Sequence, residues 1–188
     1  IVARYRNPNH GRSVLEIIIT CVPFLILWFL AVYSYYYSYW LALLFIIPAA
    51  LFLVRLFAIQ HDCGHGTLFR YKSANDWVGR VLGIFTFTPY DLWRRDHAAH
   101  HSTSGNLSRR GRGDITTLTL EEYQNSPFLE RFFYRFYRAP FVLFGFGPAY
   151  LFIFRQRFPF GRMNEWRAWL SAMSTNLFIG LLVVALLY

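Results

Sequence analysis

The sequence predicts an all-α integral membrane protein, and three observations lead to this fold class. The 188 residues are 55% hydrophobic and 21% aromatic but only 15% charged, and the mean hydropathy of +0.28 is too apolar for an ordinary soluble domain. No charged residue occurs over the 38 positions 17–54. The 21 positions 168–188 also lack charge, and this length suffices for one membrane-spanning helix.

A transmembrane hairpin is predicted near the beginning of the chain, after a polar and basic flank at 1–13. As a single helix the uncharged run would extend about 57 Å, whereas the hydrocarbon core of a bilayer is about 30 Å thick. We therefore predict two spans within residues 14–59, joined by a tyrosine-rich bend at 33–39. Pro23 and Pro48 would kink the spans without ending them.

Residues 60–165 are predicted to form a cytoplasmic and interfacial segment. Fourteen Lys or Arg residues lie between Arg70 and Arg162, and three more precede the first span. The positive-inside rule places both of these flanks on the cytoplasmic side, and we expect the membrane to be a bacterial inner membrane.

Two short helices are predicted in the first half of this segment. Asn75 or Asp76 would be the N-cap of a helix that begins at Trp77. The uncharged stretch 81–90 is too short to cross a membrane and should lie along the interface or under the spans. A polar helix is predicted over 91–101.

The second half of the segment contains a loop, an amphipathic helix and an interrupted apolar stretch. The loop 102–119 should end in a capping box formed by Thr119 and Glu122. An amphipathic helix is predicted over 128–138, with Ser126 at its cap and Pro127 at its first position. The apolar stretch 139–154 contains glycines and prolines, which favours a broken interfacial or re-entrant segment over a span. A third span is predicted at 168–188.

Five of the six histidines form two tight groups. His61 and His65 are four residues apart, and His97, His100 and His101 lie within five positions. If both groups are helical, spacings of three and four bring the imidazoles onto one face. Imidazole is a ligand for iron, zinc, copper and nickel, so the spacing predicts two halves of a metal site.

The residues around the histidines exclude two familiar metal sites. A zinc protease would need His-Glu-x-x-His, but Asp62 follows His61, and a carboxylate-bridged di-iron bundle would need Glu-x-x-His, which is absent. Five imidazoles are too many for one metal with an open position and too few for two, so we predict a dinuclear site that is incomplete in this chain. Cys63 is expected to be a small packing residue rather than a thiolate ligand, and His10 to be solvated.

The net charge of +9 does not indicate a nucleic-acid partner. The basic residues flank apolar spans and no recognition motif accompanies them, so anionic lipid headgroups are the expected partners. A non-enzymatic membrane protein that binds or moves transition metals remains the alternative to an enzyme.

At the histidines the sequence resembles the membrane fatty acid desaturases. Residues 61–65 and 97–101 look like the first two histidine boxes of that family. The stretches 75–80, 88–95 and 113–119 resemble the omega-6 type, which introduces a second double bond into a monounsaturated acyl chain.

The resemblance implies a four-span membrane enzyme with a cytoplasmic cap and a histidine-ligated di-iron centre. Molecular oxygen would be the oxidant, and ferredoxin or a cytochrome b5-type protein would supply electrons. Residues 1–188 would form a single partial desaturase domain. A related di-iron acyl hydroxylase or acetylenase would carry the same boxes. The iron ligands and catalytic residues implied by the resemblance are His61, His65, His97, His100 and His101.

The family has a third His-x-x-His-His box after its fourth span, and this chain, which begins without methionine, ends before both. We therefore expect an N-terminal fragment that is inactive alone and binds iron weakly or not at all.

Further side chains are candidates for supporting roles. Asp62 and Asp96 could orient imidazole N–H groups, or could be solvated or paired with Arg94 or Arg95. The basic face is expected to attract an acidic electron donor. Three aromatic side chains could line the acyl groove, although packing at the interface is the preferred interpretation; they are Trp77, Tyr90 and Trp93.

Overall fold

The computed structural model describes residues 7–110 and 115–187, and these residues form helices and connecting turns without a β-strand. The predicted all-α fold class is confirmed. Residues 1–6 of the predicted polar flank and residues 113–114 of the third resembling stretch lie outside the described residues.

The helices fall into two compact units, residues 1–91 together with 175–188, and residues 92–174. The α-helices are α1 (His10–Tyr35), α2 (Tyr39–His65), α3 (Lys72–Phe85), α4 (Tyr90–Thr103), α5 (Leu120–Asn125), α6 (Phe128–Tyr137), α7 (Gly147–Ala149) and α8 (Trp166–Leu187).

Helices α1 and α2 form the predicted hairpin in the first unit. The Asn9 side chain accepts a hydrogen bond from the backbone N–H of Arg12 and caps α1, and residues 36–38 connect the two helices. Helix α1 begins four residues before the predicted hairpin, and α2 ends six residues after it, both in polar sequence. Pro23 and Pro48 lie inside the helices, as expected.

The two charges that delimit the uncharged run pair with each other. Arg55 Nη2 donates to Glu16 Oε2 at 2.5 Å, although 39 positions separate the two residues. This contact requires the apolar run to fold back on itself, so it distinguishes a hairpin from one long helix. Both side chains are partly exposed, at 46% and 35%. The pair therefore contributes at most about 1 kcal/mol and follows from the hairpin rather than causing it.

Helix α3 begins at Lys72, five residues before its predicted start. The N-cap is Tyr71, so the prediction of Asn75 or Asp76 as the cap was wrong. The buried Asn75 amide instead accepts from the N–H of Phe69 and donates to the carbonyls of Phe69 and Tyr71. The Asn75 side chain therefore satisfies backbone groups of the loop before the helix, rather than the free N–H groups of the first helical turn.

Tyr90 lies in the apolar core of the first unit and is 1% exposed. Its ring lies against Gly79 of α3 so closely that a Cβ on that glycine would be 2.2 Å from a ring carbon. Its hydroxyl donates to the carbonyl of Cys63 in α2 at 2.9 Å. One side chain therefore contacts α2 and α3 from the first residue of α4.

The second unit confirms the predicted capping box and the amphipathic helix. Thr119 and Glu122 exchange hydrogen bonds between side chain and backbone at the start of α5. Helix α6 follows, but its N-cap is Pro127, so the predicted cap assignment was wrong. The Ser126 hydroxyl instead donates to the Glu122 carbonyl, one of the acceptors left open at the end of α5.

The apolar stretch after α6 is interrupted, as predicted. π-Helical turns at Val142–Phe146 and Tyr150–Phe154 flank α7, and a 3₁₀ turn at Arg155–Arg157 follows them. The stretch bends by 58° relative to α6. Pro148 and the π-helical turns account for the irregularity, because each interrupts the regular hydrogen-bond ladder of an α-helix.

Three helices within the described residues, α1, α2 and α8, are long and apolar enough to cross a membrane, and a fourth crossing would require the bent α6 segment to count as one span. Helix α8 begins two residues before the predicted third span. Only 17%, 22% and 17% of the three apolar windows are buried within the protein. Most of their apolar side chains therefore point outward, as contact with lipid requires.

Replacing Gly79 with alanine tests the packing of Tyr90. The added methyl group would overlap the ring, so we expect the free energy of unfolding to fall by about 1–3 kcal/mol, the usual cost of overpacking a core. Thermal unfolding in detergent measures the change. Gly180→Ala in α8 is the matched control, since a Cβ there meets no atom within 4 Å. Equal melting temperatures for the two variants would contradict the described contact.

Candidate metal centre

The first histidine pair lies on the last turn of α2. The Nε2 atoms of His61 and His65 are 3.3 Å apart and the ring centroids 4.5 Å apart. Gly66 ends the helix directly afterwards, in the left-handed conformation that glycine adopts easily, and its N–H binds the carbonyls of Asp62 and Cys63. The pair therefore occupies a helix end where one imidazole is half-buried and the other is exposed.

The second histidine group lies on α4, in the second unit. His97 and His101 are one turn apart, with 3.0 Å between their Nε2 atoms. The ring of His100 is centred 6.0 Å from that of His97 and 5.6 Å from that of His101. The indole of Trp93, one turn before His97, stacks on the His97 ring, with centroids 4.6 Å apart and planes 14° from parallel.

The spacing within each pair suits a metal ion. Two imidazole nitrogens that bind one metal at about 2.0–2.1 Å, at right to tetrahedral angles, lie about 2.9–3.4 Å apart. The separations of 3.3 Å and 3.0 Å both fall in this range. Without a metal the same distances allow one N–H···N hydrogen bond per pair, which needs the two rings to adopt opposite tautomers.

The other candidate ligands near the first pair have different roles. Cys63 is 0% exposed and belongs to the apolar core, in agreement with its interpretation as a packing residue. Asp62 Oδ1 lies 3.8 Å from His61 Nδ1, beyond hydrogen-bond distance. His10 was expected to be solvated, but its ring contacts Phe69 and Tyr71 with centroids 5.7 Å and 6.0 Å away. His10 is half-buried there, because α1 places it beside the loop that follows α2.

In the second unit, charged side chains connect α4 to the turn before α8. Arg162 Nε donates to Asp96 Oδ1 at 2.7 Å and its Nη1 donates to Glu165 Oε1 at 2.8 Å. Arg95 donates to the other carboxylate oxygen of Glu165 at 2.6 Å. These bonds raise the pKa of Arg162, chiefly through Asp96, and lower the pKa of Glu165, chiefly through Arg162. The partner of Asp96 is thus Arg162, whereas the sequence had suggested Arg94 or Arg95.

Apolar packing holds the same helix in place. Leu92 of α4 packs with Ala168 and Ala172 of α8, both of which are 0% exposed. The backbone N–H of Leu92 donates to the Ser171 hydroxyl at 3.2 Å. The orientation of α4 around its axis is therefore fixed on one face by packing and on its flank by ion pairs.

The three aromatic candidates for an acyl groove have different environments. Trp77 is 65% exposed, with the guanidinium of Arg80 above its ring at 5.2 Å. Trp93 stacks on His97, and Tyr90 is a core residue. Gln60, which is 0% exposed and directly precedes His61, was not predicted from the sequence. The one sequence feature that marks it is an amide side chain at the end of an otherwise apolar helix.

Comparisons with known proteins all identify desaturases as similar to this chain. The sequence profile of the family described as fatty acid desaturase matches residues 38–188. The chain is 42% identical over 157 residues to a fatty acid desaturase of Bacillus subtilis (strain 168), a match that covers 84% of this chain and 45% of that protein.

More limited matches connect the chain to lipid desaturases of Synechocystis sp. It is 33% identical over 85 residues to an sn-1 oleoyl-lipid 12-desaturase, covering 45% of this chain and 24% of that protein. It is 40% identical over 52 residues to an sn-1 acyl-lipid omega-3 desaturase (ferredoxin), covering 28% and 14%. The chain spans less than half the length of these relatives. No solved structure matches it.

Glu165→Gln tests the ion pairs that fix α4. A glutamate whose pKa is lowered in the folded state stabilises the fold above its ordinary value of 4.5, and this stabilisation is lost as the pH falls through the lowered pKa. We expect the variant to melt below the wild type at pH 7, with the difference shrinking at acidic pH. Melting temperatures across the pH range provide the measurement, and Glu130→Gln, at an exposed glutamate of α6, is the control. A difference that does not depend on pH would exclude this role for Glu165.

Proposed function

The chain belongs to the fatty acid desaturase family, and we propose that the protein containing it introduces a cis double bond into an acyl chain bound in a membrane. Molecular oxygen is the oxidant in this proposal, and two hydrogens leave adjacent methylene groups. The observation that carries it is the pair of histidine turns whose Nε2 atoms are spaced for metal binding. The family match over residues 38–188 supports treating the chain as part of one desaturase domain.

The proposed metal is iron, as two ions. Two histidines fill only two coordination positions, so neither pair would hold an ion tightly by itself, and pooled imidazoles suit a nitrogen-rich dinuclear site. When bound, iron supplies the oxygen-dependent redox chemistry, which is beyond the reach of amino-acid side chains. The ligands that we assign to this chain are His61, His65, His97, His100 and His101.

The remaining side chains orient and shield the ligands in this proposal. Asp62 is proposed to act on His61 through its charge rather than through a hydrogen bond, since its Oδ1 lies 3.8 Å from Nδ1 and leaves Nε2 for the metal. Trp93 restricts the rotation of His97 by stacking on it and keeps water from that face. Trp77 is exposed beside the apolar helices, and its side chain is suited to contact an acyl chain.

We further propose that the histidine groups face the cytoplasm, in a bacterial inner membrane. Three helices are apolar enough to span a membrane, and fourteen of the nineteen Lys and Arg residues lie between the second and the last of them. The positive-inside rule assigns such a segment to the cytoplasmic side.

An acidic electron carrier is the proposed partner. The names of two relatives, from Synechocystis sp. and Nostoc sp., specify ferredoxin, and a cytochrome b5-type protein is the alternative donor in this proposal. The basic segment between the spans supplies the complementary charge for docking.

Substituting the histidines in the complete protein tests the proposed function. We expect His61→Ala and His97→Ala each to reduce formation of unsaturated product by more than about 100-fold, the upper end of what the loss of an outer-shell partner costs a metal site. Mass spectrometry of fatty acids from a host that lacks polyunsaturated chains measures the product and its double-bond position.

The matched control is His10→Gln, because that histidine contacts Phe69 and Tyr71 rather than either group. It should retain activity. If the wild-type protein yields hydroxylated or acetylenic chains, the reaction is a different one within the family. If it binds metal but yields no acyl product, the proposal that it is an enzyme is refuted.

Salt dependence tests docking of the electron carrier. If basic residues steer an acidic donor, the turnover rate at low donor concentration should fall by about tenfold or more between about 0.01 M and 0.5 M salt. Turnover at saturating donor is the control, because association no longer limits the rate there. Turnover that does not respond to ionic strength at low donor concentration would exclude electrostatic steering.

A further inference from the structure

The connection between α3 and α4, residues 86–89, is unusual for a loop. Three of its four residues are buried. Phe87 has a φ of 56°, a conformation that residues other than glycine seldom adopt and that persists only where surrounding contacts impose it. Gly83 permits the close return of the chain, since a Cβ there would lie 2.3 Å from the Thr88 carbonyl oxygen. The connection is therefore held tightly by its neighbours.

Gln60 of α2 makes the first contact with this connection. Its Oε1 accepts a hydrogen bond from the Thr86 hydroxyl at 2.5 Å, and its Nε2 lies 3.5 Å from the Thr88 carbonyl. The Thr88 hydroxyl donates to the Thr86 carbonyl, so the polar groups around the amide are satisfied. A completely buried amide at the end of an apolar helix is costly unless it is bonded in this way, which makes the contact specific.

Tyr90, the first residue of α4, makes the second contact with α2, at a point three residues beyond Gln60. Its hydroxyl donates to the carbonyl of Cys63, which lies between the two histidines of the first pair. The same oxygen is 3.3 Å from Asp76 Oδ1 of α3. This carbonyl belongs to the last turn of α2 and also accepts the N–H of Gly66, so the Tyr90 hydroxyl is its second donor.

The two contacts fix the rotation of the helix end. Leu56, Ile59, Gln60 and Cys63 form the buried face of α2, and His61 and His65 project from the opposite side of the same turns. A rotation of α2 that broke either contact would swing both imidazoles. Metal sites tolerate errors of only about 10–20° in ligand direction.

We propose that Gln60 and Tyr90 are positioning residues that clamp the last turn of α2 and thereby aim His61 and His65 at the iron. The inference rests on the proposed function, because it assumes that these two histidines are ligands. Neither residue touches the metal or the substrate. Both act through the helix that carries the ligands.

Two conservative variants of the complete protein test the clamp. Tyr90→Phe removes only the hydroxyl, and Gln60→Leu removes both hydrogen bonds of the amide at similar size. Tyr71→Phe and Gln124→Leu are the matched controls, since both side chains are exposed. Detergent-solubilised proteins loaded with ferrous iron are exposed to a chelator, and iron loss is followed in time. X-ray absorption at the iron edge reports the iron–nitrogen distances.

We expect Tyr90→Phe and Gln60→Leu to lose iron about 3–10-fold faster than wild type, somewhat less than the 10–100-fold effect of a direct outer-shell partner. Below their melting temperatures they should also show a broader spread of iron–nitrogen distances, which a merely structural role would leave unchanged. Iron held equally by both variants and the wild type, with the same distances, overturns the clamp. Wild-type protein that binds no iron overturns the proposed function itself.

Discussion

The hydrogen bond from the buried Tyr90 hydroxyl to the Cys63 carbonyl is the contact on which the arrangement of the first unit depends. A tyrosine enclosed in an apolar core must find a partner for its hydroxyl. The Cys63 carbonyl, which already accepts the N–H of Gly66, offers its second lone pair to the Tyr90 hydroxyl. The ring can reach that position only because α3 presents a glycine, Gly79, at the point of closest approach. The relation of α2 to α3, and the point where α4 begins, follow from this contact.

The polar groups of the first unit show how an apolar, lipid-exposed protein accommodates them. Gln60, Asn75, Thr86 and Thr88 are all buried, and each bonds to a backbone group or to another member of the set. These bonds lie next to the end of α2 rather than in the middle of the apolar window. Polar groups without partners would be costly at membrane depth. These buried hydrogen bonds therefore lie next to His61 and His65, the candidate ligands of the first unit.

Each histidine group stands on a helix whose position is fixed by different means. The turn of His61 and His65 ends at the left-handed Gly66 and rests on buried polar contacts. The turn of His97 and His101 belongs to a helix fixed by apolar packing of Leu92 and by the ion pairs of Arg95 and Asp96. A metal ligand requires a rigid support of this kind.

The sequence by itself determined the helical class, the hairpin, the third span, the helical spacing of both histidine groups and the capping box at Thr119. These features follow from periodicity, length and short-range hydrogen bonds, which are local properties of a chain. Tertiary structure alone decided that α3 begins at Lys72, that Asp96 pairs with Arg162, that His10 packs on aromatic rings and that Gln60 and Tyr90 hold the end of α2. These contacts join residues far apart in sequence, up to 66 positions in the case of Arg162 and Asp96. Such pairings depend on which surfaces fit together after folding, and no local pattern encodes that fit.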